Sequence, residues 1–369
     1  MHITNAGLLA RFDSWVKSIT SKDVLALYHD ADSDGISSGA ITATAIKRLR
    51  GRLPDVRLSP RHGGHNITDD EVTIMKKAGV TKFIACDVAL DNHPDVTNKI
   101  ASFADVLIID HHALYEPFKK KNILLIKPQL FTDLAKPSKY CTSKLAYDLF
   151  SRVVDISDKD WLAVAGSISD IATEPWEEWM HSVFKKYKVP LNKDLFKTKL
   201  GEVGIYINDT ASYDDQKIPE AYLIAVNATH PNDVLNSSIT AYHNVIDAEI
   251  QKWTKAIKKN GEWHPELNLV FYEIKPKYKV KSAITTILGL KYQKEIVIVS
   301  APENVQMAFS LRCQKGIAVN VLLVEAIKGL ADASGGGHVP AAGGRCNIAD
   351  YPKFKDNVMK LLRNGFTGL

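Results

Sequence analysis

Val106-Leu107-Ile108-Ile109-Asp110-His111-His112 places three polar, metal-competent residues directly after an apolar run of strand length. In α/β proteins ligands gather beyond the carboxyl ends of buried strands, so the triplet marks such an end. Three residues recur by chance, and the reading gains its weight from what repeats around it. A second apolar run, at 24–28, leads into Asp30-Ala31-Asp32-Ser33-Asp34-Gly35. A third, at 83–86, is followed by Asp87.

The segments between these runs read as helices. They are 39–49 (opened by Ser37 and Ser38), 69–78 (capped by Thr68), 142–154, and 159–171 (capped by Ser157 or Asp158). Short apolar runs at 56–58 and 123–126 add two strands. Strands alternating with helices predict an α/β fold, a mostly parallel sheet with helices on both faces. Residues 5–20 form an amphipathic helix ahead of it. Pro175 breaks the alternation, and 176–240 read as helical. The periodic stretch 239–259 predicts a long helix that stops at Asn260-Gly261. Beyond it, strand-like runs at 267–274, 295–300, 305–312 and 319–321 and helical runs at 282–288, 321–329 and 351–362 predict a smaller α/β domain. The organisation is a metal-binding domain at 1–238, a linker helix at 239–261 and a substrate-binding domain at 262–369. The active site is expected in the cleft between the domains.

A hydrophobic content of 45% suits a globular protein with a full core. No apolar run approaches the roughly 18–20 residues of a membrane span, so no membrane partner is expected. Cys86, Cys141, Cys313 and Cys346 lie far apart without a C-x-x-C pair. That excludes a zinc ribbon and a disulfide scaffold and points to the reducing cytoplasm. The net charge of +5 is only mildly basic. Its distribution says more: Lys185-Lys186-Tyr187-Lys188, Lys255 with Lys258-Lys259, and Lys275-Pro276-Lys277-Tyr278-Lys279-Val280-Lys281 concentrate cations. The last alternates cations with apolar or aromatic residues, which on a strand would align the lysines on one face. Such patches are either solvated surface or a track for a phosphate backbone.

Asp30, Asp32 and Asp34 alternate. In extended chain alternate side chains point the same way, so the three can converge on one ion or a pair of ions. An Asx-rich turn is the plain alternative, and an EF-hand calcium loop is another. Gly35 fits the sixth position of such a loop, but the twelfth is Ile41 rather than Glu, and a strand precedes the loop. Asp87, the 110–112 triplet and Gly166-Ser167-Ile168-Ser169-Asp170 add further carboxylates and imidazoles. Carboxylate and imidazole ligands without thiolate favour Mn2+ or Mg2+, with Zn2+ or Co2+ as substitutes. Two such ions activate a water and clamp both sides of a phosphoryl centre. In the second domain Gly335-Gly336-Gly337-His338 would bring bare backbone N–H groups to an anion. Arg312, closing a predicted strand, could grip a phosphate or carboxylate bidentately. The polar loop 61–66 either reaches the site through His62 and His65 or is a plain connection.

Taken in order, DADSDG at 30–35, CD at 86–87, DHH at 110–112, GSISD at 166–170 and GGGH at 335–338 resemble the motifs of the DHH phosphoesterase superfamily, in the branch with a DHHA1 C-terminal domain. The D-x-D-x-D-G form is similar to that of the RecJ exonucleases. The short-oligonucleotide phosphodiesterases of the superfamily carry a ligand histidine four residues before the first ligand Asp. Here that position is Tyr28, which points to the RecJ-like side and leaves the roles of His29 and Asp30 open. The resemblance implies Asp32, Asp34, Asp87, His111 and Asp170 as metal ligands, with Asp87 bridging two manganese ions and magnesium or cobalt as substitutes. It implies that His112 faces the phosphate, as a transition-state stabiliser or an acid. Arg312, Gly335, Gly336, Gly337 and His338 would hold the terminal nucleotide, with Ser37 and Ser38 as further candidates for substrate contact. The nucleophile would be a water activated by the ions rather than a side chain. The implied activity is that of a manganese-dependent exonuclease on single-stranded DNA or RNA that releases mononucleotides. One alternative is a phosphodiesterase of short oligonucleotides or of cyclic dinucleotides and their linear products. Another is a non-enzymatic replication scaffold of RecJ ancestry, against which the intact ligand set weighs. By the same resemblance a GINS-type replication complex is a candidate partner, and a homodimer is admitted.

Overall fold

The computed structural model describes residues 2–60, 67–116 and 118–366. It divides into two compact units, Met1–His243 and Asn244–Leu369. In the first, α1 (Ala6–Lys17) precedes β1 (Leu25–His29), α2 (Ser33–Arg50), β2 (Val56–Leu58), α3 (Asp69–Lys77), β3 (Lys82–Cys86), α4 (Pro94–Ile100), β4 (Asp105–Ile109) and β5 (Ile123–Ile126). The strands form one parallel sheet in the order β2-β1-β3-β4-β5. Its register follows the two-residue alternation of side chains. Leu25, Leu27, Ile84, Cys86, Leu107 and Ile109 enter a core on one face with Phe12, Ile41, Leu145 and Trp161. Ala26, Tyr28, Phe83, Ala85, Val106 and Ile108 enter the core on the other with Val72, Met75 and Ile100. Both faces are therefore covered, as the alternation of strands and helices predicts. The strand order reverses direction between β1 and β3, which opens a crevice at their carboxyl ends.

The helix expected at 39–49 begins earlier. α2 starts at Ser33 because Asp32 caps it, its side chain accepting from the Gly35 amide at 2.8 Å. Asp30, Asp32 and Asp34 are thus not alternate residues of extended chain. They are a strand exit, an N-cap and a first-turn residue. Thr68 caps α3 in a capping box with Glu71, as expected. α4, opened by Pro94, carried no sequence signal strong enough to place it.

Next come α5 (Thr142–Ser151) and α6 (Asp160–Ser169). The helical stretch after Pro175 resolves into α7 (Glu177–Lys186), α8 (Lys199–Tyr213), α9 (Ile218–Asn227) and α10 (Pro231–Leu235). α11 (Ile239–Asn260) spans the division between the units.

The second unit contains β6 (Glu262–His264), β7 (Leu269–Glu273), α12 (Lys281–Lys291), β8 (Ile296–Glu303), β9 (Gln306–Arg312), α13 (Val319–Ala326), β10 (Ser334–His338), β11 (Ala341–Asn347) and α14 (Tyr351–Arg363). Its sheet runs β10-β11-β9-β8-β7-β6, antiparallel except between β7 and β8. Phe271, Ile298, Phe309, Leu322 and Phe354 share its core.

Three expectations change here. Residues 319–321 open α13 instead of forming a strand, because Val319, Leu322, Leu323 and Ala326 bury one helical stripe. The GGGH motif is an edge strand in a hairpin with β11, not a loop. Gly337 has φ +140°, and a Cβ there would meet the Ala341 carbonyl oxygen at 2.4 Å. Finally, 275–281 is not a strand: the chain leaves β7 at Glu273 and runs irregularly to α12. Pro276 has no amide hydrogen to donate to a ladder.

Candidate metal centre

β1, β3 and β4 end at one level, since His29 pairs with Cys86 and Cys86 with Ile109. Asp30, Asp87 and Asp110 therefore leave three adjacent strands side by side. Among the described residues three donor groups form there: Asp30, Asp32 and Asp87; Asp87, His111 and His112; and Asp34, His111 and Asp170. Within each, the candidate ligand atoms lie within 4.8 Å of one another. Asp87 and His111 each belong to two groups, the layout that a pair of neighbouring cations needs.

The donors are fixed from behind. Asp87 adopts φ +64°, a left-handed conformation rare for a residue with a side chain. The Thr142 hydroxyl donates to its Oδ1 at 2.8 Å. Asp34 reaches the first turn of α5, where the Thr142 and Ser143 amides donate to its two oxygens at 2.7 and 2.9 Å. A helix N-terminus thereby holds a carboxylate. Gly166 of α6 lies close: a Cβ there would sit 2.2 Å from Ser143 Oγ and 2.9 Å from Asp34 Oδ1. His111 Nδ1–H donates to the Ser138 carbonyl at 2.9 Å, so in the neutral ring the free lone pair is on Nε2. Nε2 lies 3.6 Å from Asp87 Oδ1, 3.7 Å from Asp170 Oδ2 and 4.0 Å from Asp34 Oδ2.

Crowding shifts the titration of this cluster. Burial, followed by the charges of Asp34 and Asp32, raises the Asp87 carboxyl well above the usual range. Burial and Asp34 push Asp170 up to about 6. Desolvation and the charges of Asp30 and Asp34 push Asp32 up to about 7. Asp32 itself is exposed, and the like charges of Asp30 and Asp34 stand beside it. Carboxyls that retain protons for want of a counter-charge, grouped with an imidazole lone pair, fit a divalent cation that accepts oxygen and nitrogen donors.

His112 plays a different part. Its Nδ1 lies 2.7 Å from Asp110 Oδ1, and that hydrogen bond raises its pKa. The nitrogen is therefore committed, and its 4.0 Å approach to Asp87 is not that of a free ligand. Burial alone would raise Asp110, but His112 and Lys127 outweigh it and hold the carboxyl at about 2. Lys127 is fully buried, with Nζ 2.8 Å from Asp91 Oδ1, 2.9 Å from Asp110 Oδ2 and 2.7 Å from the Ala113 carbonyl oxygen.

Of the residues singled out from the sequence, Asp30, Asp32, Asp34, Asp87, His111, His112 and Asp170 come together. His29 does not. It is buried, stacks on Tyr222 with ring centroids 4.8 Å apart, and burial lowers its pKa to about 4. Ser37 and Ser38 are buried in α2, with the Ser38 hydroxyl donating to the Gly35 carbonyl, so neither is open to a substrate. His62 and His65 lie outside the described residues. In the second unit, the Arg312 guanidinium donates to the Thr286 and Ser282 hydroxyls and the Leu311 carbonyl, with no carboxylate partner among the described residues. Gly335, Gly336 and Gly337 are exposed, and pairing sets His338, Ala341 and Arg312 in one row across the sheet. Sequence reasoning missed Thr142, Ser143, Ser138, Asp91, Lys127 and Asn208, whose side chain accepts from the Ser33 amide at 2.7 Å. Single hydroxyls, amides and a lone lysine after an apolar run carry no spacing signal.

The fold and these donors define a metal-dependent α/β hydrolase. Residues 24–171 match the DHH family, N-terminal domain, and residues 269–364 match the DHHA1 domain, so the chain carries both domains. Among solved structures, an exonuclease RecJ bound to manganese aligns with a TM-score of 0.70 at 17% identity, over 96% of this chain and 94% of that one. RecJ of Thermus thermophilus in complex with Mn2+ aligns with a TM-score of 0.68 at 16% identity, over 97% of this chain but 55% of that longer one. A pGpG-specific phosphodiesterase of Vibrio cholerae aligns with a TM-score of 0.54 at 12% identity, over 93% and 99%. At these identities the likeness is one of fold. Among curated proteins none matches the sequence.

Proposed function

We propose that this protein is a manganese-dependent phosphodiesterase that degrades single-stranded nucleic acid from an end, as a RecJ-like exonuclease releasing mononucleotides. The observation that carries this reading is the approach of His111 Nε2 to Asp87 Oδ1 at 3.6 Å, with Asp30 and Asp32 grouped around Asp87 and Asp34 and Asp170 around His111, which suits paired ions at a phosphodiester. Asp32, Asp34, Asp87, His111 and Asp170 would hold the ions, with Asp30 at the edge. When bound, such ions supply an activated water and neutralise charge developing on the phosphoryl oxygens. The residues of the chain do the rest. Thr142, Ser143 and Ser138 keep Asp87, Asp34 and His111 in place before any ion arrives. Asp110, anchored by Lys127, presents a half-exposed His112 that keeps its proton to higher pH than a free imidazole. That suits it to donate a proton or hydrogen bond to a phosphoryl oxygen. Arg312 offers a guanidinium without a carboxylate partner among the described residues, and the bare strand β10 lets an anion approach backbone amides.

A second reading confines the activity to short oligonucleotides or dinucleotides. The fold likeness to the pGpG-specific phosphodiesterase favours it. Manganese-dependent digestion of end-labelled DNA and RNA, from dinucleotides to long strands, separates the two. Stepwise shortening of long strands is expected, whereas cleavage confined to the shortest would establish the second reading. An Asp87→Ala protein with full activity would remove both.

A further inference from the structure

The lysine-rich stretches noted in the sequence take no part in the metal centre. In the second unit two of them become one surface. Glu249 on α11 makes the junction: its Oε1 accepts from the backbone amide of Lys277 at 3.0 Å and from Trp253 Nε1 at 2.9 Å. The Tyr272 hydroxyl, in β7, donates to the Trp253 carbonyl at 2.8 Å. The irregular segment after β7 is thereby tied along the C-terminal half of α11.

On that helix Lys252, Lys255 and Lys259 recur at i, i+3 and i+7 and are exposed, so they share one face. Lys275 and Lys277 are exposed on the tied segment. Residues 252–260 (KWTKAIKKN) and 274–281 (IKPKYKVK) contain eight lysines and no Asp or Glu. Of the neighbouring acids, Glu249 is engaged by Lys252, Trp253 and the Lys277 amide, and Glu303 by Lys281. Aromatic rings lie among the cations: Lys252 Nζ is 4.9 Å from the Trp253 ring and Lys277 Nζ 5.2 Å from that of Tyr278.

We propose that this surface is a track for the sugar–phosphate backbone of a long single strand of nucleic acid. The proposal rests on the exonuclease reading and extends it to how a strand is held. A row of exposed lysines binds a polyanion by releasing its counterions, whatever the base sequence. A protein partner would need an apolar anchor, and neither segment exposes a large aliphatic side chain.

Anisotropy of a fluorescein-labelled oligo(dT) of about twenty nucleotides, titrated with the full chain in EDTA so that no hydrolysis occurs, tests this. The triple variant K252Q/K255Q/K277Q should bind roughly tenfold or more weakly at low salt. Its log–log salt slope should be shallower by about 2, at about 0.7 for each phosphate that is no longer neutralised. The triple Arg variant, which keeps the charges, should bind like the parent. Equal affinity and slope for the Gln variant and the parent would overturn the track while leaving the exonuclease reading standing. A parent that cleaves dinucleotides but does not bind oligo(dT) would remove both. Labelled polyglutamate bound more tightly than oligo(dT), and released in the Gln variant, would assign the surface to an acidic protein and also overturn the proposal.

Discussion

His112 is held with Nδ1 against Asp110, and the ring therefore stays charged to higher pH than a free imidazole. If its proton assists the reaction, activity should fall as pH rises through that raised pKa. His112→Asn should lower turnover by about 10²–10⁴-fold and flatten this alkaline limb. A parent profile that is level from about pH 6 to 9 would remove the acid role. Gly166 makes a second test at this scale. Its missing side chain leaves room for Ser143 and Asp34, so Gly166→Ala must displace one of them. Mn2+ affinity measured by calorimetry should drop about 10–100-fold with the fold retained, because the group that orients a ligand has moved. Unchanged affinity would show that Ser143 alone gives way and that Gly166 does not set the position of Asp34. The carboxylates and His111 were legible in the sequence because each follows a strand or sits in a motif. The hydroxyls and amides that aim them were not, because any Ser or Thr reads alike.

The elements meet at their ends, and that is where sequence and structure part. The strands of the first sheet were well placed by their apolar runs, while 319–321 opens a helix and β10 has no such run; the N-terminus of α2 was also misplaced, since the alternating aspartates present Asp32 as a candidate ligand and hide the cap that it is. The two roles are compatible because capping uses Oδ1 and leaves Oδ2. Lys127 ties three elements at their ends: Asp91 after β3, Asp110 after β4 and its own position after β5. All three groups are closed to solvent. Lys127→Met would leave Asp91 buried without a cation and Asp110 with His112 alone, and removing one partner of a buried ionic group costs about 3–5 kcal/mol. Urea unfolding should show a loss of that order. A loss under about 1 kcal/mol would mean that the carboxylates find another partner or take up protons.

At the scale of the whole molecule the site couples metal, protons and stability. Asp87, Asp170 and Asp32 have folded carboxyls raised above the ordinary range, the last two to about 6 and about 7. Between an ordinary carboxyl value of about 4 and these values, the metal-free folded state binds more protons than the unfolded one, so its stability falls as pH rises. Cations reverse this, since they bind the ionised carboxylates and release the protons. The metal-free protein should therefore melt lower at about pH 8 than at about pH 5.5, and the gain in melting temperature on adding Mn2+ should be larger at the higher pH. Equal gains at both would contradict the coupling. The residue order alone determined the class of protein and singled out its candidate carboxylates and histidines, because strand-length apolar runs, helical spacing and the polar residues that close them are local patterns. Only the tertiary structure decided that Thr142 holds Asp87, that Lys127 joins Asp91 to Asp110, that His29 is packing, and that Glu249 binds the Lys277 amide. Those partners are selected by proximity in space after the chain has folded, and no rule of spacing along the chain records them.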